Sequence, residues 1–167
     1  MAFVLANISL PDVISVDRLS NDSEHIARVY IGSDDEIGAV YSVVVVLTSQ
    51  PHLAAGTMEL MFGITEAFPG RRDTEWINDG AATKRFLMGD DRKVVLSCVS
   101  TAACALAEVV RPDIINFVTA VAYLPDKALT KYGHICKAMR TVGYRGGRGD
   151  EYHGSHIWML KRRNDET

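Results

Sequence analysis

The fold is decided by the stretch KVVLSCVSTAACALAEVVRPDIINFVTAV, residues 93–121, in which a helical pattern is followed at once by a strand pattern. Apolar side chains recur at three- to four-residue steps over Val94–Arg111, which predicts a helix with one apolar stripe. The stripe is rich in small residues, which permits close packing on a sheet, and Pro112 ends the helix. The run Ile114–Val121 is almost entirely apolar, as expected of a buried strand.

A second helix and a closing strand are predicted after this stretch. The helix begins at Pro125, and its apolar positions recur at helical spacing. Gly143 ends it in the manner of a glycine just beyond a helix C-terminus. Gly146–Gly149, a Gly-Gly-Arg-Gly run, predicts a flexible loop, and His156–Lys161 predicts the last strand.

The first half of the chain predicts one helix and a series of strands. Residues 12–28 carry weakly periodic apolar positions, which predict a helix interrupted by Asn-Asp-Ser. Val29–Ile31 begins a strand, Glu36–Thr48 with its valine run is the strongest strand, and Thr57–Ile64 alternates in one phase. These three strands predict an antiparallel meander. Lys84–Met88 fits either a short strand or the entry to a helix.

Together these elements predict one α+β domain over residues 1–167, with a mostly antiparallel, twisted sheet of about six strands flanked by about three helices. A meander followed by helix, strand, helix and strand resembles the acyl-CoA N-acetyltransferase fold over residues 26–163. The Gly143-Tyr144 pair that closes the second helix carries this resemblance at residue level, within Ile114–Lys161. The chain is also similar to small proteins of phages and mobile elements that keep the fold without its motifs.

With 47 % apolar and 23 % charged residues, the composition is that of an ordinary globular protein. No apolar run reaches the roughly 18 residues that a membrane helix needs. The N-terminal apolar stretch follows no basic residue, which argues against a signal peptide. The three cysteines are odd in number and form no Cys-x-x-Cys pair, so we expect a reduced, cytoplasmic protein without membrane contact.

The charges are divided unevenly along the chain. Residues 127–163 carry nine basic and two acidic side chains, although the whole chain has a net charge of −3. A solvated basic face is the simplest interpretation; the alternatives are an anion site or a surface that meets an acidic surface of a second copy. A homodimer and an unknown protein partner are therefore both expectations. Nucleic acid is a further candidate partner, which the overall acidity does not favour.

The resemblance implies a coenzyme A site at the start of the first long helix. In the family, a glycine-rich loop and the helix N-terminus hold the pyrophosphate of the cofactor. Residues 88–93 of this chain are Met-Gly-Asp-Asp-Arg-Lys, with one glycine and two carboxylates. An aspartate N-cap that occupies the helix N–H groups is the competing interpretation. We expect no cofactor unless the protein is an enzyme, which would use acetyl-CoA. The matching cofactor-binding candidates are Gly89, Arg92, Lys93, Phe117 and Val118.

Catalytic side chains are fewer than the family requires. The family's usual general acid is a tyrosine four residues before the closing pair, and that position holds Met139, which cannot donate a proton. Tyr132, Tyr144 and Tyr123 remain as candidate acids, although tyrosines more often serve packing. Glu59 on the third strand is the candidate base, against the simpler interpretation of a carboxylate on a solvated sheet face.

No metal site is expected. His153 and His156 lie near Asp150 and Glu151, but no other cluster supplies a further nitrogen ligand. Two functions stay open: a non-catalytic protein that uses the scaffold to bind a partner, and an acetyl-CoA-dependent N-acetyltransferase for an amine. The enzyme requires a cleft between the strands that flank the first long helix. A binding module has that cleft filled and exposes an apolar or basic patch.

Overall fold

The structure, a computed structural model, describes residues 3–8, 14–18, 23–78, 80–120 and 126–163. These residues form one sheet of nine strands and three helices. The strands are β1 (Phe3–Leu5), β2 (Ser15–Arg18), β3 (Glu24–Asp34), β4 (Ala39–Thr48), β5 (Thr57–Ala67), β6 (Thr74–Ile77), β7 (Ile114–Ala120), β8 (Tyr144–Tyr152) and β9 (Ser155–Arg162). The helices are α1 (Gly80–Thr83), α2 (Asp91–Val110) and α3 (Asp126–Met139), and a 3-10 turn (Arg140–Val142) extends α3.

The sheet is open and mostly antiparallel. Its order is β1-β3-β4-β5-β7-β9-β8, with β2 also beside β3 and β6 also beside β5. The predicted α+β class is confirmed, and so is the meander of β3, β4 and β5, but the sheet has nine strands where about six were predicted. Among the described strands, β5 and β7 are the only parallel neighbours.

The core lies between the sheet and the two long helices. Val43, Val45 and Leu47 of β4 are fully buried on the side that belongs to this core, whereas Val44 and Val46 are covered on the opposite side. Burial on both sides explains the unbroken valine run. α2 packs across β3 and β4 and against α3. By length and composition α2 is also apolar enough to cross a membrane, but its buried stripe is part of this core.

The C-terminal third has the predicted order, with one correction. Gly143 ends the turn after α3 in the left-handed conformation, with a φ of 89°, as predicted. The flexible loop predicted over Gly146–Gly149 is wrong, because these residues lie within β8 and pair with β9. Gly146 has a φ of 146°, and a Cβ there would overlap the carbonyl oxygen of Met159. The missing side chain thus permits a close approach of two strands.

The helix predicted over residues 12–28 is wrong. The described part of this range forms β2 and the start of β3. His25, Ala27 and Val29 are buried at alternate positions, which is the period of a strand. Pairing with the valines of β4 decides the structure, and this pairing is not visible in the local spacing. Residues 12, 13 and 19–22 lie outside the described residues.

One element boundary also differs from the prediction, and one open alternative is decided. β4 begins at Ala39 rather than Glu36, because the N–H of Glu36 donates to the Asp34 carboxylate at 3.0 Å in a turn that Gly38 completes with a φ of 70°. Of the two structures that fitted Lys84–Met88, the strand is wrong; the segment contains the turn that connects α1 to α2 and leads into that helix.

Candidate functional site

β5 and β7 are paired over only three residues of each strand. Thr57–Glu59 pair in parallel with Ile114–Asn116, and beyond these pairs the two strands continue without pairing to each other. Phe62 on β5 and Phe117 on β7 lie beyond the last pair and line a cavity of about 440 Å³, which we call the junction cavity. The sheet is therefore open at this point.

The junction cavity reaches both faces of the sheet. Because side chains alternate along a strand, neighbouring residues of β5 and β7 line it from opposite faces. On the helix-covered face the lining residues include Leu60, Phe62, Phe117, Lys131 and Tyr132. On the other face, which we call the open face, they are Glu24, Val46, Glu59, Met61, Trp76 and Val118. The cavity thus joins an aromatic end to an end that carries two carboxylates.

A second cavity, of about 230 Å³, lies between β5 and the first turns of α2, and we call it the helix-side cavity. Its apolar walls come from Phe62, Ile64, Val95, Leu96 and Val99. Arg92 lines it at the start of α2. Phe62, Asn78 and Lys131 line both cavities, so the two spaces are neighbours that meet at these side chains.

Lys131 of α3 lies at the boundary of the two cavities. Its Nζ is 4.9 Å from the centre of the Tyr132 ring and 5.9 Å from that of Phe62. Burial lowers the pKa of Lys131 below its ordinary value. The sequence analysis missed this residue, since a lysine on an amphipathic helix usually faces solvent. The available signal was its position four residues before Ile135, which is buried, because residues four apart share a helix face.

Tyr132 is the predicted acid that the structure places in the junction cavity. Its ring centre lies 5.7 Å from that of Phe62 and 5.9 Å from that of Phe117, so it bridges β5 and β7 beyond their last pair. Burial raises the pKa of Tyr132. A neutral phenol at physiological pH is what a proton donor needs, and the same ring also packs against both strands.

The start of α2 differs from the expected capped helix. Asp90 occupies the N-cap position, as predicted, but it has helical backbone angles and its side chain caps no N–H group, so the predicted side-chain cap is wrong. Its carboxylate accepts a hydrogen bond from Lys93 Nζ at 2.7 Å. The backbone N–H groups of Lys93 and Val94 donate to the Asp90 carbonyl at 2.9 and 3.3 Å, and Gly89 enters this turn with a φ of 48°.

The cofactor-binding candidates divide into two groups. Arg92 lines the helix-side cavity, and its Nε donates to the Leu87 carbonyl at 3.0 Å. Phe117 and Val118 line the junction cavity, the first buried and the second exposed. Lys93 and Gly89 belong to the lining of neither cavity, and the Lys93 side chain is 83 % exposed. The structure therefore brings three of the five candidates to the cavities.

Glu59 is partly buried at the open-face end of the junction cavity. The strand register places Glu24, Thr48, Glu59 and Asn116 in one row across four strands. Two strand spacings, about 10 Å, separate the two glutamates. The sequence analysis missed Glu24 because it lay in the wrongly predicted helix. Asn116 Oδ1 is buried and has no hydrogen-bond partner among the described residues.

Tyr144 lies away from both cavities. It is 1 % exposed, and its hydroxyl donates to the Pro112 carbonyl at 2.7 Å. Burial raises the pKa of Tyr144 to about 12. This geometry gives Tyr144 a structural contact and no access to a ligand in either cavity. Tyr123, the third candidate acid, lies outside the described residues. Within the described ranges, no three His, Cys, Asp or Glu side chains come close enough to hold a metal ion.

The open face exposes apolar side chains next to charges of both signs. Met61, Val118 and Met159 are 41, 54 and 49 % exposed. Arg145 and Lys161, which are cross-strand partners on β8 and β9, lie on the same face, since they alternate with buried residues. The two glutamates of the junction cavity lie on the other side of the apolar side chains. The face therefore carries two glutamates and Arg28 of β3 on one side, an apolar centre, and Arg145 and Lys161 on the other side.

No protein-family model, no curated protein and no solved structure matches the chain. We therefore infer a function from the two cavities and the open face.

Proposed function

We propose that the protein binds an acyl-CoA-type cofactor at the two cavities, as a divergent relative of the acyl-CoA N-acetyltransferases. The observation that carries this proposal is the separation of β5 and β7 after Glu59 and Asn116, beside the start of α2. The resemblance predicts a cleft at this place, between the strands that flank the long helix. Continuous pairing of β5 with β7 would have favoured a scaffold without a ligand site.

The cavity residues suit the successive parts of such a cofactor. Arg92 supplies a guanidinium at the start of α2, where phosphate oxygens are also favoured by the helix dipole. The apolar walls of the helix-side cavity suit a flexible, mostly apolar arm. Asp90 opposes an anion at this site, but its pairing with Lys93 weakens that repulsion.

The junction cavity provides groups for proton transfer on both faces of the sheet. Tyr132 is a neutral phenol on the helix-covered face and is able to donate a proton. Glu59 on the open face has no hydrogen bond or ion pair with another described residue, and its carboxylate is able to accept a proton from an amine. Acyl transfer to an amine would use these two groups from opposite sides of the junction.

Thermal unfolding with millimolar CoA or acetyl-CoA tests this proposal. A ligand that binds only the native state raises the free energy of unfolding by about 2.7 kcal/mol at a hundred times its Kd. We expect both ligands to raise the midpoint, because they share the nucleotide and the arm. No change with either ligand at this concentration would reject the proposal.

Two adjacent cations provide a matched control. Arg92 lines the helix-side cavity, whereas Lys93 lines neither cavity and is exposed. Loss of a charge-assisted hydrogen bond to phosphate weakens binding by about tenfold or more. We therefore expect Arg92→Ala to weaken CoA binding by that factor and Lys93→Ala to leave it nearly unchanged. Equal losses of CoA affinity in the two variants would show that binding depends on the overall positive charge and not on the position of Arg92.

The second candidate function is a non-catalytic module that associates with a second copy through the open face. The observation that favours it is the exposed apolar centre of the open face, with Met61, Val118 and Met159 between the two glutamates and the Arg145–Lys161 pair. A two-fold axis parallel to the strands and between β5 and β7 would place the β3 side of one copy over the β8 side of the other. Glu24 of each copy would then lie over β8 of the other at the level of Gly147, two residues from Arg145, and the apolar side chains would be buried.

Sedimentation velocity over a range of protein concentrations tests the self-association. We expect a concentration-dependent dimer that Val118→Lys converts to a monomer, since the new charge would lie in the apolar centre. Val109→Lys is the control, because Val109 is also exposed, at 46 %, but lies on α2. A wild-type protein that stays monomeric at every concentration would exclude this second function.

A further inference from the structure

We propose that the side-chain amine of Lys131 is an acyl acceptor, so that the protein transfers the acyl group of a bound thioester onto its own chain. The inference rests on the proposed function, since it requires an acyl thioester in the cavities. It adds a covalent modification site on α3, at the boundary between the helix-side cavity and the junction cavity.

The position of Lys131 distinguishes it from the other lysines of the described residues. Among the lysines whose side chains the structure describes, only Lys131 lines a cavity, and it lines both. A thioester arm that runs from Arg92 through the helix-side cavity towards the junction meets this side chain. Lys93, which follows Arg92 on α2, lines neither cavity; it faces solvent and is paired with Asp90.

The surroundings of the Lys131 amine suit a nucleophile. Aromatic rings of Tyr132 and Phe62 lie beside it at 4.9 and 5.9 Å, and no hydrogen bond or ion pair joins it to another described residue. Burial lowers its pKa, which raises the neutral fraction of the amine at a given pH. The ionisable side chains that share its cavities are Glu24, Glu59, Arg92 and Tyr132.

The reaction is an aminolysis of a thioester. The neutral Nζ of Lys131 attacks the thioester carbonyl carbon, a C–N bond forms and the C–S bond breaks. The attacking nitrogen loses one proton to water or to a nearby carboxylate, and the departing thiolate takes one proton up. The products are an N-acyl-lysine and a free thiol, so no oxidant, reductant or other reactant is required. Acylation also removes the positive charge that faces the rings of Phe62 and Tyr132.

Intact-protein mass spectrometry with peptide mapping, after incubation with acetyl-CoA, measures the modification. We expect the folded protein to gain one acetyl group, mapped to Lys131, at a rate about tenfold or more above that of exposed lysines, since the thioester is held beside the amine. Lys131→Arg keeps the charge and should remove this fast phase. Lys137→Arg, which changes an exposed lysine of the same helix, should leave it unchanged.

A second donor separates this inference from the proposed function. S-acetyl-N-acetylcysteamine carries a thioester and a short arm but no nucleotide. Fast labelling of Lys131 by this small donor, without any stabilisation by CoA, would support the reactive lysine and reject the cofactor site. Stabilisation by CoA, with acetyl groups from either donor spread evenly over the exposed lysines, would support the cofactor site and overturn the inference. Labelling of the urea-unfolded protein shows the intrinsic rate of each lysine for comparison.

Discussion

The N-terminal half of the sheet, β1 to β6, and its C-terminal half, β7 to β9, are each antiparallel, but they are joined by a much shorter parallel seam. In the first half, β3 and β4 share ten residue pairs, and β4 and β5 share nine. In the second half, β7 and β9 share seven. Between the halves, β5 and β7 share three. Pairing is long within each half and short between them.

This difference separates the source of stability from the place of binding. Long antiparallel pairing satisfies the backbone groups of both halves and buries the side chains between the sheet and α2. Beyond the seam, β5 and β7 present strand edges to the junction cavity that do not pair with each other. A ligand in this cavity would meet backbone groups as well as side chains. We therefore place the proposed ligand site at the seam between β5 and β7, and we expect most of the folding free energy to come from packing and pairing within the two halves.

The same truncation at two valines tests this separation and has the largest expected effect. Val45 is fully buried in the centre of β4, whereas Val118 is 54 % exposed at the junction cavity. Both are strand residues, so the change in strand propensity is similar. We expect Val45→Ala to lower the free energy of unfolding by roughly 2–3 kcal/mol, from lost burial plus a cavity. Val118→Ala should change it by no more than about 0.5 kcal/mol.

Urea unfolding followed by circular dichroism measures both variants under one set of conditions. The slope of the free energy of unfolding against urea concentration should stay at the wild-type value in each variant. A change in the midpoint then reports a change in stability alone. A large loss for Val118→Ala would mean that the junction carries core packing in solution. The junction would then contribute to stability as the centre of β4 does, and the proposed separation of the stable halves from an open seam would be wrong.

Sequence patterns were sufficient for the elements whose evidence is local. The spacing of apolar residues in α2 and α3, and the left-handed Gly143, depend on neighbours within a few residues. The helix expected over residues 12–28 was wrong because β3 is held by pairing with β4, about twenty residues further along the chain. Such pairing leaves little trace in a single stretch of sequence.

The site was predictable only where the resemblance supplied a position. It led to Glu59, Tyr132 and Arg92, all of which line a cavity. It also led to Tyr144, which has the closing position expected of the family but is held in the core. Glu24 was missed because its contacts depend on the strand register, which local spacing does not determine. The spacing places Lys131 on the helix face of buried Ile135, but it does not show that this face meets the place where β5 and β7 separate.

The C-terminal half has its own anchor, which provides a smaller test. The Tyr144 hydroxyl at the start of β8 donates to the Pro112 carbonyl just before β7. Tyr144→Phe leaves that carbonyl buried without this donor, and we expect a loss of about 1–2 kcal/mol at pH 7. Tyr152→Phe is the control, because Tyr152 is 64 % exposed. If the two variants were equally stable, the hydrogen bond would not hold the half together.

The pH dependence of this difference identifies its cause. Burial raises the pKa of Tyr144 to about 12 in the folded protein, despite the opposing charges of Arg162 and Arg111, whereas an unfolded tyrosine titrates near 10. Between these values the unfolded chain has lost the proton that the folded chain still holds. The contribution of Tyr144 to stability is therefore complete below pH 10 and is lost as the pH rises towards 12.

Urea unfolding at pH 7, 9 and 10.5 should show the free energies of unfolding of the wild type and Tyr144→Phe converging at the highest pH. The raised pKa of Tyr41 affects both proteins equally and cancels in the difference. A constant gap between the two proteins would mean that the phenol of Tyr144 titrates at the same pH in the folded and the unfolded chain, and that the contribution of its hydroxyl to stability does not depend on the raised pKa.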